Sequence, residues 1–142
     1  MSEKVLLVDD ETDFLDVMSE RMKSRGIEVS TSTSAKEALK LTQDENYDAV
    51  VLDLMMPEMD GIEALSALKE KHPELQIILL TGHGTVEKGI QAMKLGAMDF
   101  LEKPIDMNTL TEKIHKAKAQ KMILVDKKTE EKIKKIMTEK SW

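Results

Sequence analysis

Three carboxylates in this chain stand directly behind short apolar runs. Asp9 and Asp10 follow Val5-Leu6-Leu7-Val8, and Asp53 follows Ala49-Val50-Val51-Leu52. If the two runs are neighbouring strands of one sheet, the three acids converge at the carboxyl ends. Carboxylates that close repel strongly unless a proton or a cation intervenes. An oxygen-only donor set without His or Cys favours magnesium, manganese or calcium over zinc. Two more groups end apolar runs in the same way: Thr81 follows Ile77-Ile78-Leu79-Leu80, and Lys103 follows Phe100-Leu101-Glu102. Acids, a divalent cation, one hydroxyl and one fixed ammonium suit phosphoryl transfer, where positioning and charge neutralisation dominate. The nucleophile would be a carboxylate and the product an aspartyl phosphate. Residue chemistry alone leaves open which of the three acids attacks.

Singly, each residue has a plainer reading. An Asp at a strand end usually caps a helix or turn, and Asp13 fits that role. Thr81 alone is equally well read as a turn hydroxyl, and Lys103 alone as a solvated lysine. The set carries the inference, because its spacing matches adjacent strand ends of one sheet. His83 invites an acid–base reading and is equally well read as an exposed loop histidine, whereas His72 and His115 fall on helix ends or faces. The 11 methionines read mainly as core and gap filler. Met55, Met56 and Met59 crowd the loop after Asp53, and Trp142 is a terminal residue.

The elements that must position these groups alternate. Apolar runs at Val5–Val8, Val29–Thr31, Ala49–Leu52, Ile77–Leu80 and Phe100–Leu101 imply five strands. Between them lie helical patterns: Phe14, Leu15, Met18, Met22; then Ala35, Ala38, Leu39, Leu41; then Ile62, Leu65, Leu68; then Val86, Ile90, Met93, Leu95. Such alternation predicts an α/β fold with a parallel sheet covered on both faces. Thr12 or Asp13 is expected to cap the first helix, Ser34 the second, and Asp60-Gly61 precedes the third, while Gly26 and Gly96 follow the first and fourth. A fifth helix begins near Asp106 with Leu110, Ile114 and Ala117 on one face. The expected division is a domain over 1–119 and a Lys- and Glu-rich C-terminal helical extension or linker over 120–142.

A net charge of -6 argues against a direct nucleic-acid surface. The chain has no cysteine, and no apolar run approaches a membrane span. With no signal-peptide pattern, a cytoplasmic location is expected.

Four motifs in order, Val8-Asp9-Asp10, Asp53-Leu54-Met55-Met56-Pro57-Glu58-Met59-Asp60-Gly61, Thr81-Gly82-His83-Gly84 and Asp99-Phe100-Leu101-Glu102-Lys103-Pro104, resemble the receiver domains of two-component response regulators. The resemblance runs from about Lys4 to about Lys118, and in wording it is nearest to the nitrogen-regulatory class. It implies a doubly wound, flavodoxin-like five-stranded sheet of order 2-1-3-4-5. It also implies Asp53 as phosphoacceptor, and a magnesium site of Asp9, Asp10, Asp53 and the Met55 backbone carbonyl. Lys103 then pairs with phosphoryl oxygens, Thr81 is the switch hydroxyl, and Phe100 is the aromatic that changes rotamer with it. The implied partner is a sensor histidine kinase or phosphotransfer protein, and the implied readout is a homodimer through the fourth helix, fifth strand and fifth helix. A stand-alone switch, and not an enzyme, is the first expectation. The alternative is the receiver part of a larger transcription regulator, although no Gly-x-x-x-x-Gly-Lys-Ser/Thr loop for an ATPase occurs here. A metal-dependent phosphatase is the remote third, and no Asp-x-Asp pair after a strand supports it.

Overall fold

A computed structural model describes residues 2–54, 56, 60–82 and 86–139. Five strands and five helices alternate: β1 (Lys4–Val8), α1 (Thr12–Lys23), β2 (Glu28–Ser32), α2 (Ala35–Asp44), β3 (Ala49–Asp53), α3 (Gly61–Lys71), β4 (Ile77–Thr81), α4 (Val86–Lys94), β5 (Asp99–Glu102) and α5 (Met107–Glu139). The strands form one parallel sheet of order β2-β1-β3-β4-β5. The central runs are apolar at successive positions because both faces are covered. Leu6, Val8, Val50, Leu52, Ile77 and Leu79 pack against α2, α3 and α4. On the other face, Val5, Leu7, Val51, Ile78 and Leu80 pack against α1 and α5. Successive side chains of a strand point to opposite faces, so each continuous run feeds both cores.

Helix ends agree with the sequence at α2 and α3 and differ at α1. Ser34 accepts the Glu37 N–H, and Asp60 accepts the Ile62 N–H. At α1 the capping position is Glu11, without a side-chain cap, so neither Thr12 nor Asp13 caps. Instead the Glu11 N–H donates to Asp9 Oδ1 at 2.9 Å, which draws the start of the helix to the strand end. Gly26 and Gly96 take positive φ, as helix-terminating glycines do. Gly61 is required for a different reason: a Cβ there would lie 2.6 Å from the Leu54 Cα, so the start of α3 is seated directly on the strand that ends in Asp53.

Helix α4 departs from the expected packing. Ile90, Met93 and Leu95, expected on its inner face, are exposed, and Gly89 and Ala92 are buried instead. The helix lies so close to β5 that only small residues fit beneath it: a Cβ on Gly89 would stand 3.2 Å from the Phe100 ring. Helix α5 buries Met107, Leu110, Ile114 and Ala117 and then continues without interruption to Glu139. Lys121 donates to the Tyr47 carbonyl at 2.5 Å, beyond which the helix is solvent-exposed almost throughout. Among the described residues, no helix is long and apolar enough to cross a membrane.

Candidate functional site

Sheet register determines which side chains meet. Val8 is opposite Leu52 in β1 and β3, and Asp53 is opposite Leu80 in β3 and β4. Asp9, Asp53 and Thr81 therefore emerge at the carboxyl edge of three adjacent strands. Backbone bonds carry the sheet one step past those ends: Asp9 N–H to Ser32 O at 3.1 Å, Leu54 N–H to Leu80 O at 2.9 Å, and Lys103 N–H to Thr81 O at 2.7 Å. The polar groups thus hang from a framework as rigid as the sheet.

Asp9, Asp10 and Asp53 bring carboxylate oxygens within 4.8 Å of one another. Asp9 and Asp53 are buried, while Asp10 is exposed. Lys103 Nζ donates to Asp9 Oδ2 at 3.0 Å, so one ammonium stands against three acids. Burial by itself would depress the lysine pKa. The hydrogen bond to Asp9 and the charges of Asp53, Asp9 and Glu11 outweigh that, leaving it above the usual lysine value. Lys103 is thus held firmly as a cation, and the cluster keeps a surplus of negative charge. The Lys103–Pro104 peptide bond is cis.

Thr81 is buried, and its Oγ1 donates to the Leu101 carbonyl at 3.3 Å, so the hydroxyl is turned toward β5. Phe100 is half-buried against Gly89 of α4. Asp99 pairs with Lys113 and ties β5 to α5. Met55, the expected carbonyl donor, and His83, Met59 and Trp142 lie outside the described residues.

One neighbour of the site lies outside the sequence motifs. The Lys103 Nζ stands 4.2 Å from the centroid of the Phe14 ring, in cation–π range. By sequence Phe14 belongs to the apolar stripe of α1, but Leu15, Met18 and Met22 are buried and Phe14 is only half-buried. Its position four residues after Asp10, in the first turn of a helix that starts at the site, is the signal in the sequence. Phe14 also lines, with Val17, Arg21, Gly82 and Ile105, an open groove that reaches Lys103.

Comparison with known proteins agrees with this geometry. Residues 5–115 match the family model of the response regulator receiver domain, and the chain belongs to that family. The transcriptional regulatory protein ZraR of Escherichia coli (strain K12) is 32% identical over 115 residues, which are 81% of this chain and 26% of that protein. The chain therefore spans about a quarter of the length of that relative. A crystal structure of a response regulator receiver domain protein from Clostridium thermocellum superposes with a TM-score of 0.83 at 34% identity, covering 86% of this chain and 98% of the other. The solution structure of the beryllofluoride-activated NtrC4 receiver domain dimer has a TM-score of 0.78 at 33% identity, covering 83% of this chain and 98% of that one. The flavodoxin-like receiver fold with strand order 2-1-3-4-5, implied by the four motifs, is the fold found.

Proposed function

We propose that this receiver domain is a phosphorylation switch in which Asp53 takes a phosphoryl group from a sensor histidine kinase or phosphotransfer protein. The observation that carries this is the gathering of three carboxylates within 4.8 Å beside a lysine held as a cation. A carboxylate oxygen of Asp53 attacks phosphorus, the bond from phosphorus to the donor imidazole breaks, and that nitrogen keeps the electron pair. Lys103 offers its ammonium to the phosphoryl oxygens as charge develops on them. An oxygen-only, partly buried, charge-surplus cluster fits magnesium, which Asp9, Asp10, Asp53 and the Met55 backbone carbonyl would hold. When bound, the ion supplies the neutralisation that lets an anionic carboxylate meet an anionic donor.

Thr81 links the chemistry to a surface. Its hydroxyl donates to Leu101 in the present state, and a phosphoryl group on Asp53 offers a stronger acceptor. Turning the hydroxyl away from β5 frees the Leu101 carbonyl, so β5 and the elements packed on it, α4 and α5, respond first. We read that face as the site of self-association. Sedimentation with beryllofluoride should shift the protein toward a dimer, less so in Thr81→Ala; no shift in either protein would point to a different partner or face.

The direct test is reaction with a small acyl phosphate and magnesium, followed by borohydride trapping and mass spectrometry. Label on Asp53, absent in Asp53→Asn, is expected. Label on another aspartate, or none, overturns the assignment. The match to one quarter of ZraR favours a second reading, a receiver that controls attached output domains. Intact mass of the protein from its native source separates the two. Neither reading gives this domain turnover of external phosphomonoesters or direct nucleic-acid binding, and both place the protein in the cytoplasm.

A further inference from the structure

We propose that Lys69 is a site of N-acylation, where its amine takes the acyl group of a small acyl phosphate. Lys69 lies in the last turn of α3, and its Nζ donates to the Pro73 carbonyl at 2.8 Å and to the Leu75 carbonyl at 3.0 Å. Both acceptors are neutral. Lys4, Lys103 and Lys113 are each held by a carboxylate, which stabilises the ammonium and withholds the lone pair. Two carbonyls make no such demand. An ammonium has three N–H donors and a neutral amine two, so Lys69 can lose its proton and still satisfy both acceptors, with its lone pair in the remaining direction.

The surroundings push the same way. Lys69 is half-buried where α3 turns into β4. Burial lowers its basicity more than the charge of Glu74 restores it, so the amine lies below the usual lysine value. Its neighbours also fix its place. The His72 N–H donates to the Leu68 carbonyl at 2.8 Å and the Leu75 N–H to the His72 carbonyl at 3.0 Å, which holds the turn that carries both acceptors. A Cβ on Gly96, the positive-φ residue after α4, would stand 3.2 Å from Lys69 Cε. An acyl phosphate has two electrophilic atoms, phosphorus and the carbonyl carbon, and the reaction proposed for Asp53 uses the first. At Lys69 the neutral nitrogen adds to the carbonyl carbon, a C–N bond forms and the C–O bond to phosphate breaks. Inorganic phosphate leaves with the electron pair, and the nitrogen gives up one proton to water. The amide formed has a single N–H, so one of the two carbonyls loses its donor. The acyl group must also find room beside Gly96, where even a Cβ would be tight, and the corner between α3, β4 and the turn into β5 is loosened.

The test treats the full chain with trace acetyl phosphate and follows acetylation of each lysine by mass spectrometry across neutral and alkaline pH. The exposed Lys127, Lys128 and Lys134 of α5 serve as internal references. At neutral pH Lys69 should react about threefold or more faster than these, since its neutral fraction is larger, and its rate should level off at a lower pH than theirs. In urea the advantage should vanish, because the fold creates it. Glu74→Gln removes a charge that favours the ammonium and should widen it. The reaction needs neither magnesium nor Asp53, so Asp53→Asn should acetylate at Lys69 as wild type does, and failure at one site leaves the other standing. Lys69→Gln, an uncharged stand-in for the acylated residue, should melt lower than wild type, and Lys127→Gln should not. A Lys69 rate no greater than the references would overturn the proposal. So would a pH profile that coincides with theirs, an advantage that survives unfolding, or a slower Lys69 in Glu74→Gln. Equal melts of Lys69→Gln and Lys127→Gln would reject the loosened corner.

Discussion

The two ends of the sheet carry the same kind of trio and use it differently. At the carboxyl end, Lys103 is 3.0 Å from Asp9 and 4.2 Å from the centre of the Phe14 ring. At the opposite end, Lys4 is 3.1 Å from Glu45 and 5.5 Å from the centre of the Tyr47 ring. Both lysines are raised above their usual pKa, Lys4 chiefly through its hydrogen bond to Glu45. What differs is the acid and its company. The Glu45 side chain is 48% exposed, and the Tyr47 hydroxyl donates to it at 3.1 Å. The Asp9 side chain is fully buried and shares its space with two more carboxylates. A lysine, an acid and a ring are ordinary surface furniture when each charge is matched and wet. Withdrawn from water and left crowded, the same groups repel one another, which is the setting in which we propose that a cation and a phosphoryl group are held.

The strongest way to break this comparison is to remove each lysine in turn. Lys103→Met should slow phosphorylation of Asp53 about a hundredfold or more and destabilise the metal-free protein by about 1–3 kcal/mol, the range for a lost hydrogen bond to a buried charge. Lys4→Met should leave the phosphorylation rate unchanged. The pH dependence follows in sign. A lysine whose folded pKa is raised adds stability that is fully present below the unfolded value and lost as pH rises through the folded one. The gap between wild type and Lys103→Met in metal-free melts should therefore be flat through neutrality and close only above about pH 10. A gap that closes near neutral pH, or a Lys4 variant as slow as the Lys103 variant, would erase the distinction between the two ends.

A smaller effect separates the acids. Asp10→Asn removes one of three crowded charges, so in chelator the protein should melt no lower than wild type, and higher if repulsion dominates. Saturating magnesium at about a hundred times its dissociation constant stabilises a single-site protein by about 2.7 kcal/mol. That gain should be largely lost in Asp10→Asn and retained in Glu45→Gln. Thermal melts with and without magnesium measure both, and a full magnesium response in Asp10→Asn would place the metal elsewhere.

Much of this difference is legible in the sequence. Asp9, Asp10, Asp53, Thr81 and Lys103 are readable because each lies within two residues of the end of an apolar run, and a parallel sheet brings such positions to one edge. Choosing Asp53 among the acids came from motif resemblance, since nothing in the charge pattern ranks the three. The packing of α4 was misread because apolar periodicity weighs large residues. There the close approach of the helix to Phe100 put Gly89 and Ala92 inside and left Ile90 and Met93 outside. The cap of α1 was misread because the acid that binds the N–H at its start, Asp9, belongs to the preceding strand end. Both errors involve partners that belong to another element, which a local pattern does not contain.

The finest test concerns the two rings. A cation over an aromatic face contributes about 0.5–1 kcal/mol where solvent reaches it, and the Lys103 side chain is 25% exposed. Phe14 touches none of the acids through a polar atom, so its contribution should appear only in how well Lys103 is held. Phe14→Leu keeps an apolar side chain of similar reach and removes the ring. It should slow acyl-phosphate labelling of Asp53 by about two- to fivefold, the same energy expressed as a rate, with magnesium affinity unchanged. Phe14→Tyr should restore the rate, because the ring returns. Tyr47→Phe at the other end should change neither quantity, since Lys4 faces no reacting group. Parallel magnesium titrations and labelling rates on the three variants decide the matter: if Phe14→Leu weakens magnesium binding as much as it slows labelling, the ring supports the whole pocket and not the lysine, and the likeness between the two trios is then only one of composition.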